Sequence, residues 1–280
     1  MSDNGRLLVC ATPIGNLGDV TLRVLDALRD AHVIVAEDTR VTRKLLARYD
    51  IHTPLERYDE ATAEARTPEL VERIAAGASV ALVSDAGTPG ISDPGERLVD
   101  ACILAGLQVD VLPGASAIIT ALVSSGLPTR AFYFGGFLPR KAGEIRRTLD
   151  SLARLEATLI FYESPRRAAA SLAIVAEAFP GRAVAMAREL TKIHEEIARD
   201  NSHALADAIK GRELKGEVVL LIGPPCADEA PVTDESAVRS ALALHVSEGM
   251  TRKDAVKRVA ADLGVPRNEV YRLALDKGES

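Results

Sequence analysis

The chain has 280 residues, 47% of them hydrophobic and 26% charged, the balance of a folded globular protein rather than a disordered one. A formal net charge of −6, no Trp and 4% aromatics argue against a general nucleic-acid coat and against a broad base-stacking platform. Cys10, Cys102 and Cys226 lie far apart without a CxxC pair, which argues against a disulfide framework or a cysteine zinc site. All three read as reduced thiols, with Cys10 in the core. The first residues carry no secretion signal, and the apolar stretches fall short of the ~20 residues of a membrane span. A cytoplasmic protein without a membrane segment is expected.

Short β-branched runs alternate with helical patterns along the chain. Leu7 to Ala11 reads as a strand, Leu22 to Ala31 as a helix, Val33 to Ala36 as a strand and Val41 to Tyr49 as a helix. Thr67 as N-cap and Pro68 at the first helical position start a helix that runs to Ala76. Val80 to Val83, Gly95 to Ala105, Val109 to Leu112 and Ala115 to Ser124 continue the alternation. The pattern implies βαβ units and a mostly parallel sheet. An aromatic and glycine-rich stretch that turns basic, AFYFGGFLPRK at Ala131 to Lys141, marks a change of domain. A second α/β unit follows, with strands at Thr158 to Tyr162, Ala183 to Ala187 and Glu217 to Ile222, and helices at Gly143 to Leu155, Arg166 to Ala178 and Ala204 to Lys210. PPCADEAPVTDES reads as a linker, and the remainder as helical. The expected domains are residues 1–128 and 129–226, both α/β, and 227–280 as linker and helical module.

The loop SDAGTPGISDPG, Ser84 to Gly95, packs Gly87, Gly90, Gly95, Pro89, Pro94, Asp85 and Asp93 into one strand end. Open α/β sheets bind ligands there, and glycine and proline leave backbone groups accessible on a stiff loop. Asp85 suits an ammonium or ribose hydroxyls. ATPIGNLGD, Ala11 to Asp19, lacks GxGxxG and a GKS/T ending, and reads as either a ligand loop or a plain turn. In VLPGASA, Ser116 either caps a helix or faces a ligand. EDTR at Glu37 to Arg40 and FYESPRR at Phe161 to Arg167 each join a carboxylate to arginine, for phosphate recognition or for a surface ion pair. His194 has no partner at ligand spacing, and no metal site is signalled. Thr251 to Leu275 has a helix–turn–helix pattern: Thr251 as cap, Leu263-Gly264-Val265-Pro266 as turn, and Ala255, Val256, Val259, Ala260, Val270, Leu273 and Ala274 facing inward. Residues 251–280 hold 7 Lys/Arg against 5 Asp/Glu, which fits RNA contact or a small packing module.

Taken together, ATPIGNLGDVTLR, EDTRVTRKLL, SDAGTPGISDPG, VLPGASA, GFLPRK, FYESPRR and RELTKIHEE, in that order, resemble the tetrapyrrole (corrin/porphyrin) methylase superfamily. Within it the chain is similar to the ribosomal RNA small-subunit methyltransferase I family, whose helix–turn–helix tail it also matches. Members acting on tetrapyrroles usually carry GDP-type loops where this chain has SDAGTPG. The resemblance implies an α/β, two-domain tetrapyrrole-methylase-like fold with a C-terminal helical, helix-turn-helix-like module. It implies S-adenosylmethionine in the cleft between the domains, usually in a homodimer. The implied reaction is 2′-O-methylation of a cytidine ribose in 16S rRNA near the decoding centre, with rRNA or the small subunit as partner. By motif position, Pro13, Asp85, Gly87, Thr88, Ser116 and Ala117 would line the cofactor, with Tyr162 and Ala187 from the second domain.

A hydroxyl attacks a sulfonium methyl better when a base withdraws its proton. Asp38, Glu163 and Lys192 are the candidates, and Arg40 and Arg166 would hold phosphates. The basic stretch Arg140 to Arg147, with Lys141, and the C-terminal tail favour RNA over the competing reading, a methylase of a small tetrapyrrole. A DNA-binding regulator using the tail is a further alternative, opposed by the acidic net charge.

Overall fold

The computed structural model describes residues 5–93, 95–225, 235–263, 265 and 267–275. They form two compact units, Met1–Pro224 and Pro225–Ser280. Among the described residues, no helix is long and apolar enough to cross a membrane.

The first unit contains two sheets. In the first, β1 (Arg6–Cys10), β2 (Val33–Ala36), β3 (Leu55–Arg57), β4 (Ser79–Val83) and β5 (Gln108–Leu112) lie in the order β3-β2-β4-β1-β5. Every pairing is parallel. Side chains of the central strands alternate between two cores. Leu8, Cys10, Ile34 and Ala36 pack with α1 (Leu22–Asp30) and α2 (Thr39–Arg48) on one face. Leu7, Val9, Val33 and Val35 pack with α3 (Glu60–Ala75) and α4 (Gly95–Leu104) on the other. Burial on both faces explains why these strands read as continuous apolar runs.

Helix α3 corrects the expected start. It begins at Glu60, capped by Asp59, whose carboxylate accepts from Thr62 N while the Thr62 hydroxyl bonds back to Asp59 N. Pro68 therefore lies inside the helix. Thr67 is not a cap: its buried hydroxyl donates to Ala63 O and pairs with Tyr58 Oη. The capping box and the burial of Ala63, Leu70 and Ile74 outweigh the roughly 3 kcal/mol that an interior proline costs.

The second sheet has the order β6-β7-β10-β8-β9, from β6 (Phe132–Phe137), β7 (Thr158–Glu163), β8 (Ala183–Arg188), β9 (Glu196–Asn201) and β10 (Val218–Ile222). Only β6 and β7 pair in parallel; β10 runs antiparallel between β7 and β8, and β9 antiparallel along β8. The parallel expectation thus holds for the first sheet alone. No helix separates β8 from β9, so they join as a hairpin. One face of this sheet packs α6 (Ala142–Leu152), α7 (Ala168–Ala178) and α8 (Ser202–Ile209). The other receives Ala121 and Leu122 of α5 (Ala117–Ser125) together with Ile14 from the β1 loop. That last core joins the two sheets and sets the loops of one against the strands of the other.

The second unit packs α9 (Glu235–Ser247), α10 (Arg252–Leu263) and α11 (Arg267–Leu275) around Val238, Leu242, Ala255, Val256, Val259, Val265, Val270 and Leu273. Thr251 caps α10, accepting from Asp254 N at 3.2 Å. Ala260 and Ala274 are only partly buried. Residues 226–234 of the expected linker, Cys226 among them, and Gly264 and Pro266 of the turn lie outside the described residues, while the linker's last two residues, Glu235 and Ser236, open α9 instead.

Candidate active site

The β1 and β4 loops are tied together. Thr12 and Gly87 exchange backbone hydrogen bonds at 2.8 and 3.0 Å, and the Thr12 hydroxyl donates to Ser84 O. Gly87 has φ +81°, a left-handed conformation that a side chain would strain. The bridge turns the β4 loop over the carboxyl ends of the parallel strands. There it forms one wall of a cavity of about 520 Å³.

Asp85, Gly87 and Thr88 come from that loop, Ser116 and Ala117 from the start of α5, and Tyr162 and Glu163 from the end of β7. Six of the eight residues expected at a cofactor, Asp85, Gly87, Thr88, Ser116, Ala117 and Tyr162, thus share one cavity. Ser116 both lines it and accepts from Ile119 N at 3.4 Å, so cap and cavity residue are one. Pro13 is not among the lining residues; its neighbour Ile14 is. Ala187 is fully buried in β8, paired with the lining residue Val219, and is not itself among the lining residues.

Three further lining residues, Glu37, Asp93 and Phe137, went unassigned in the motifs. Two of them adjoin residues that were named, Glu37 beside Asp38 in EDTR and Asp93 within the glycine loop. Phe137 packs on Tyr162 with ring centroids 5.3 Å apart. The carboxylates crowd one another. Burial, with the charge of Asp85, pushes Asp93 up to about 6 despite a bond to Ser84. Glu37 is raised by burial and then by Asp93, Asp85, Asp59 and Asp38. Asp85 is raised by burial, although it accepts from Asp38 N at 3.0 Å. Burial and the charges of Asp93 and Glu217 push the Tyr162 hydroxyl up to about 12. Crowded carboxylates with raised pKa values prefer a cationic ligand, because a nearby positive charge relieves the repulsion.

The three side chains expected to act as base are already engaged. Asp38 caps α2 and chelates the Arg40 guanidinium, which holds its carboxyl down to about 2. The Glu163 side chain is 1% exposed and accepts from Ser164 N, Arg167 and Ser171. Burial works to lower the Lys192 ammonium, but Glu189 at 2.9 Å and Glu217 at 3.1 Å outweigh it and hold Lys192 above its ordinary value. Lys192 also clamps the halves: a Cβ on Gly15 would come within 2.6 Å of Lys192 Cγ and 2.7 Å of Leu190 O.

Of the residues expected at RNA, Arg40, Arg140, Lys141 and Arg166 are all exposed. Lys141 pairs loosely with Glu144 at 3.4 Å. Arg167, not assigned from the motif, is the anchor beneath them: it bonds Glu163 together with Leu138 O and Pro139 O. It thereby pins the segment that presents Arg140 to the loop that presents Arg166.

Residues 6–206 match the family Tetrapyrrole (Corrin/Porphyrin) Methylases, and residues 232–278 match the RsmI C-terminal HTH domain. A relative from Synechocystis sp. called ribosomal RNA small subunit methyltransferase I is 43% identical over 97% of this chain and 98% of its own. The solved methyltransferase CobJ is 25% identical with a TM-score of 0.59, covering 79% of this chain and 94% of its own. A uroporphyrin-III C-methyl transferase from Thermus thermophilus, solved with S-adenyl homocysteine, shares the fold at 18% identity and a TM-score of 0.55, over 78% and 97% of the two chains. The chain belongs to the tetrapyrrole methylase family and, within it, to the methyltransferases of the ribosomal RNA small subunit methyltransferase I family.

Proposed function

We propose that the protein transfers a methyl group from S-adenosylmethionine to the ribose 2′ oxygen of a cytidine in 16S rRNA, near the decoding centre. The observation that carries the reading is the cavity of about 520 Å³ with Glu37, Asp85 and Asp93 on its wall. Its size falls within the roughly 300–1,000 Å³ of small-molecule sites. Its acidic wall complements a ligand with sulfonium and ammonium charges, and Ile14, Ile118 and Val219 offer an apolar bed for an adenine. A neutral or anionic cofactor would gain nothing from that wall.

When bound, the cofactor supplies an electrophilic methyl. The chain's own task is then alignment and exclusion of water. Asp85, Gly87, Thr88, Ser116, Ala117 and Tyr162 would hold the donor, with Pro13 and Ala187 next to the lining residues Ile14 and Val219. Glu163 and Lys192 serve as braces, Glu163 for the Arg167 anchor and Lys192 for the clamp at Gly15. Asp38 preorganises Arg40. Arg40, Arg140, Lys141 and Arg166 would meet RNA phosphates, which position a strand without reading it. The helical unit would add to RNA contact, and the enzyme would work as a cytoplasmic homodimer on rRNA or the small subunit.

The test is transfer of labelled methyl to free 16S rRNA, to assembled small subunits and to a corrinoid precursor in parallel. Label in RNA supports the reading. Label only in the tetrapyrrole overturns it.

A further inference from the structure

A second cavity, of about 750 Å³, opens beside the first and shares Glu37 and Asp85 with it. Its other walls include Asp38, Arg40, Arg57 and Asp59, from the ends of the neighbouring parallel strands β2 and β3, where Ala36 stands opposite Arg57. Arg40 and Arg57 are 84% and 66% exposed, and each is held by an aspartate two residues away, Asp38 and Asp59. Two arginines fixed at an entrance with donors to spare suit the phosphates of a strand.

A donor in the first cavity and an acceptor in the second would meet at the wall the two cavities share, where Glu37 and Asp85 stand. Asp85 is partly committed there, because one carboxylate oxygen accepts from Asp38 N. What acts on Glu37 is burial and the charges of four aspartates; no lysine or arginine pairs with it among the described residues. It is a carboxylate at the junction that faces like charges and has no ion-pair partner among the described residues.

We propose that Glu37 is the general base of the transfer, a proposal that rests on the function given above. The ribose 2′ oxygen forms its bond to the methyl carbon as the carbon–sulfur bond breaks. The bonding pair stays on sulfur, which becomes a neutral thioether, and the hydroxyl proton passes to a Glu37 carboxylate oxygen. Asp38, Asp59, Asp85 and Asp93 surround Glu37, with Arg40 and Arg57 on the same cavity. Burial and this crowding raise Glu37 above the ordinary carboxylate range, which makes it a better proton acceptor than a solvated glutamate.

The experiment uses the full chain as wild type, Glu37→Gln and Glu37→Asp. Three readouts are taken: single-turnover methyl transfer to 16S rRNA or small subunits, calorimetric affinity for S-adenosylhomocysteine, and a carboxyl-carbon NMR titration of the unliganded protein. Glu37→Gln should slow transfer roughly 100- to 10,000-fold, the range of a lost general base. Its affinity for S-adenosylhomocysteine should fall far less than the rate, because Asp85 and Asp93 remain on the acidic wall and this ligand lacks the sulfonium charge. One glutamate signal titrating above the ordinary range should vanish from the spectrum, and Glu37→Asp should recover part of the rate. Transfer by Glu37→Gln within about fivefold of wild type overturns the assignment, as does a loss of cofactor affinity that accounts for the slowed transfer. If wild type itself labels no RNA, the function reading fails first and the base falls with it.

Discussion

Replacing Asp93 with asparagine should stabilise the unliganded protein at alkaline pH. Burial and the Asp85 charge push Asp93 from 3.8 up to about 6. The folded chain therefore keeps a proton that the unfolded chain has released across that window, so stability falls as pH rises through it. The loss is complete above the folded value and absent below the unfolded one. A shift of about two units corresponds to ~3 kcal/mol at ~1.36 kcal/mol per unit. Asp93 keeps partial solvent contact, so screening reduces this to about 1–2 kcal/mol. Urea denaturation of wild type and Asp93→Asn, at about pH 8 and about pH 4, reads the difference directly. Asp93→Asn should be more stable at the higher pH and indistinguishable at the lower one, while binding S-adenosylmethionine more weakly. Equal stability at about pH 8, or a gain that persists at about pH 4, would refute the strained acidic wall.

Other consequences test other parts of the site. Gly15→Ala drives a methyl into Lys192 and the Leu190 carbonyl; it should cost about 1–3 kcal/mol in thermal or urea unfolding and weaken cofactor binding. Glu163→Ala strips the buried acceptor from Arg167 and Ser171, and should destabilise by about 3 kcal/mol in the same assay. Arg40→Ala should weaken RNA binding and reduce its salt slope by about 1, with S-adenosylhomocysteine affinity unchanged by calorimetry.

The strands that became the centre of the first sheet were legible because parallel strands buried on both faces are continuous apolar runs, as in Val33–Ala36 and Val80–Val83. Three strands escaped notice: β6, Phe132–Phe137, whose Gly135 and Gly136 read as a change of domain, and two others for the complementary reason. The edge strands β3, Leu-Glu-Arg, and β9, Glu196–Asn201, carry polar residues, as exposed edges do. Pro68 misled because a proline inside a helix and one at its start look alike locally, and the deciding contacts of Thr67 with Tyr58 and Ala63 are tertiary. At the site, the glycine–proline loop announced itself through Gly87, whose positive φ is a local demand. Glu37 and Asp93 did not, because their importance comes from being crowded together by loops far apart in sequence. The same holds in reverse for Asp38 and Glu163: the motif shows a carboxylate, and only the fold shows Arg40, Arg167 and Ser171 already bound to it.

The most direct test of the central claim is the chemical position of the methyl. Small subunits are treated with the protein and S-adenosylmethionine, and their 16S rRNA is then digested to nucleosides for mass spectrometry. The account predicts a single new species, cytidine methylated on its ribose 2′ oxygen. A methyl on a base, or on any residue other than cytidine, would contradict it.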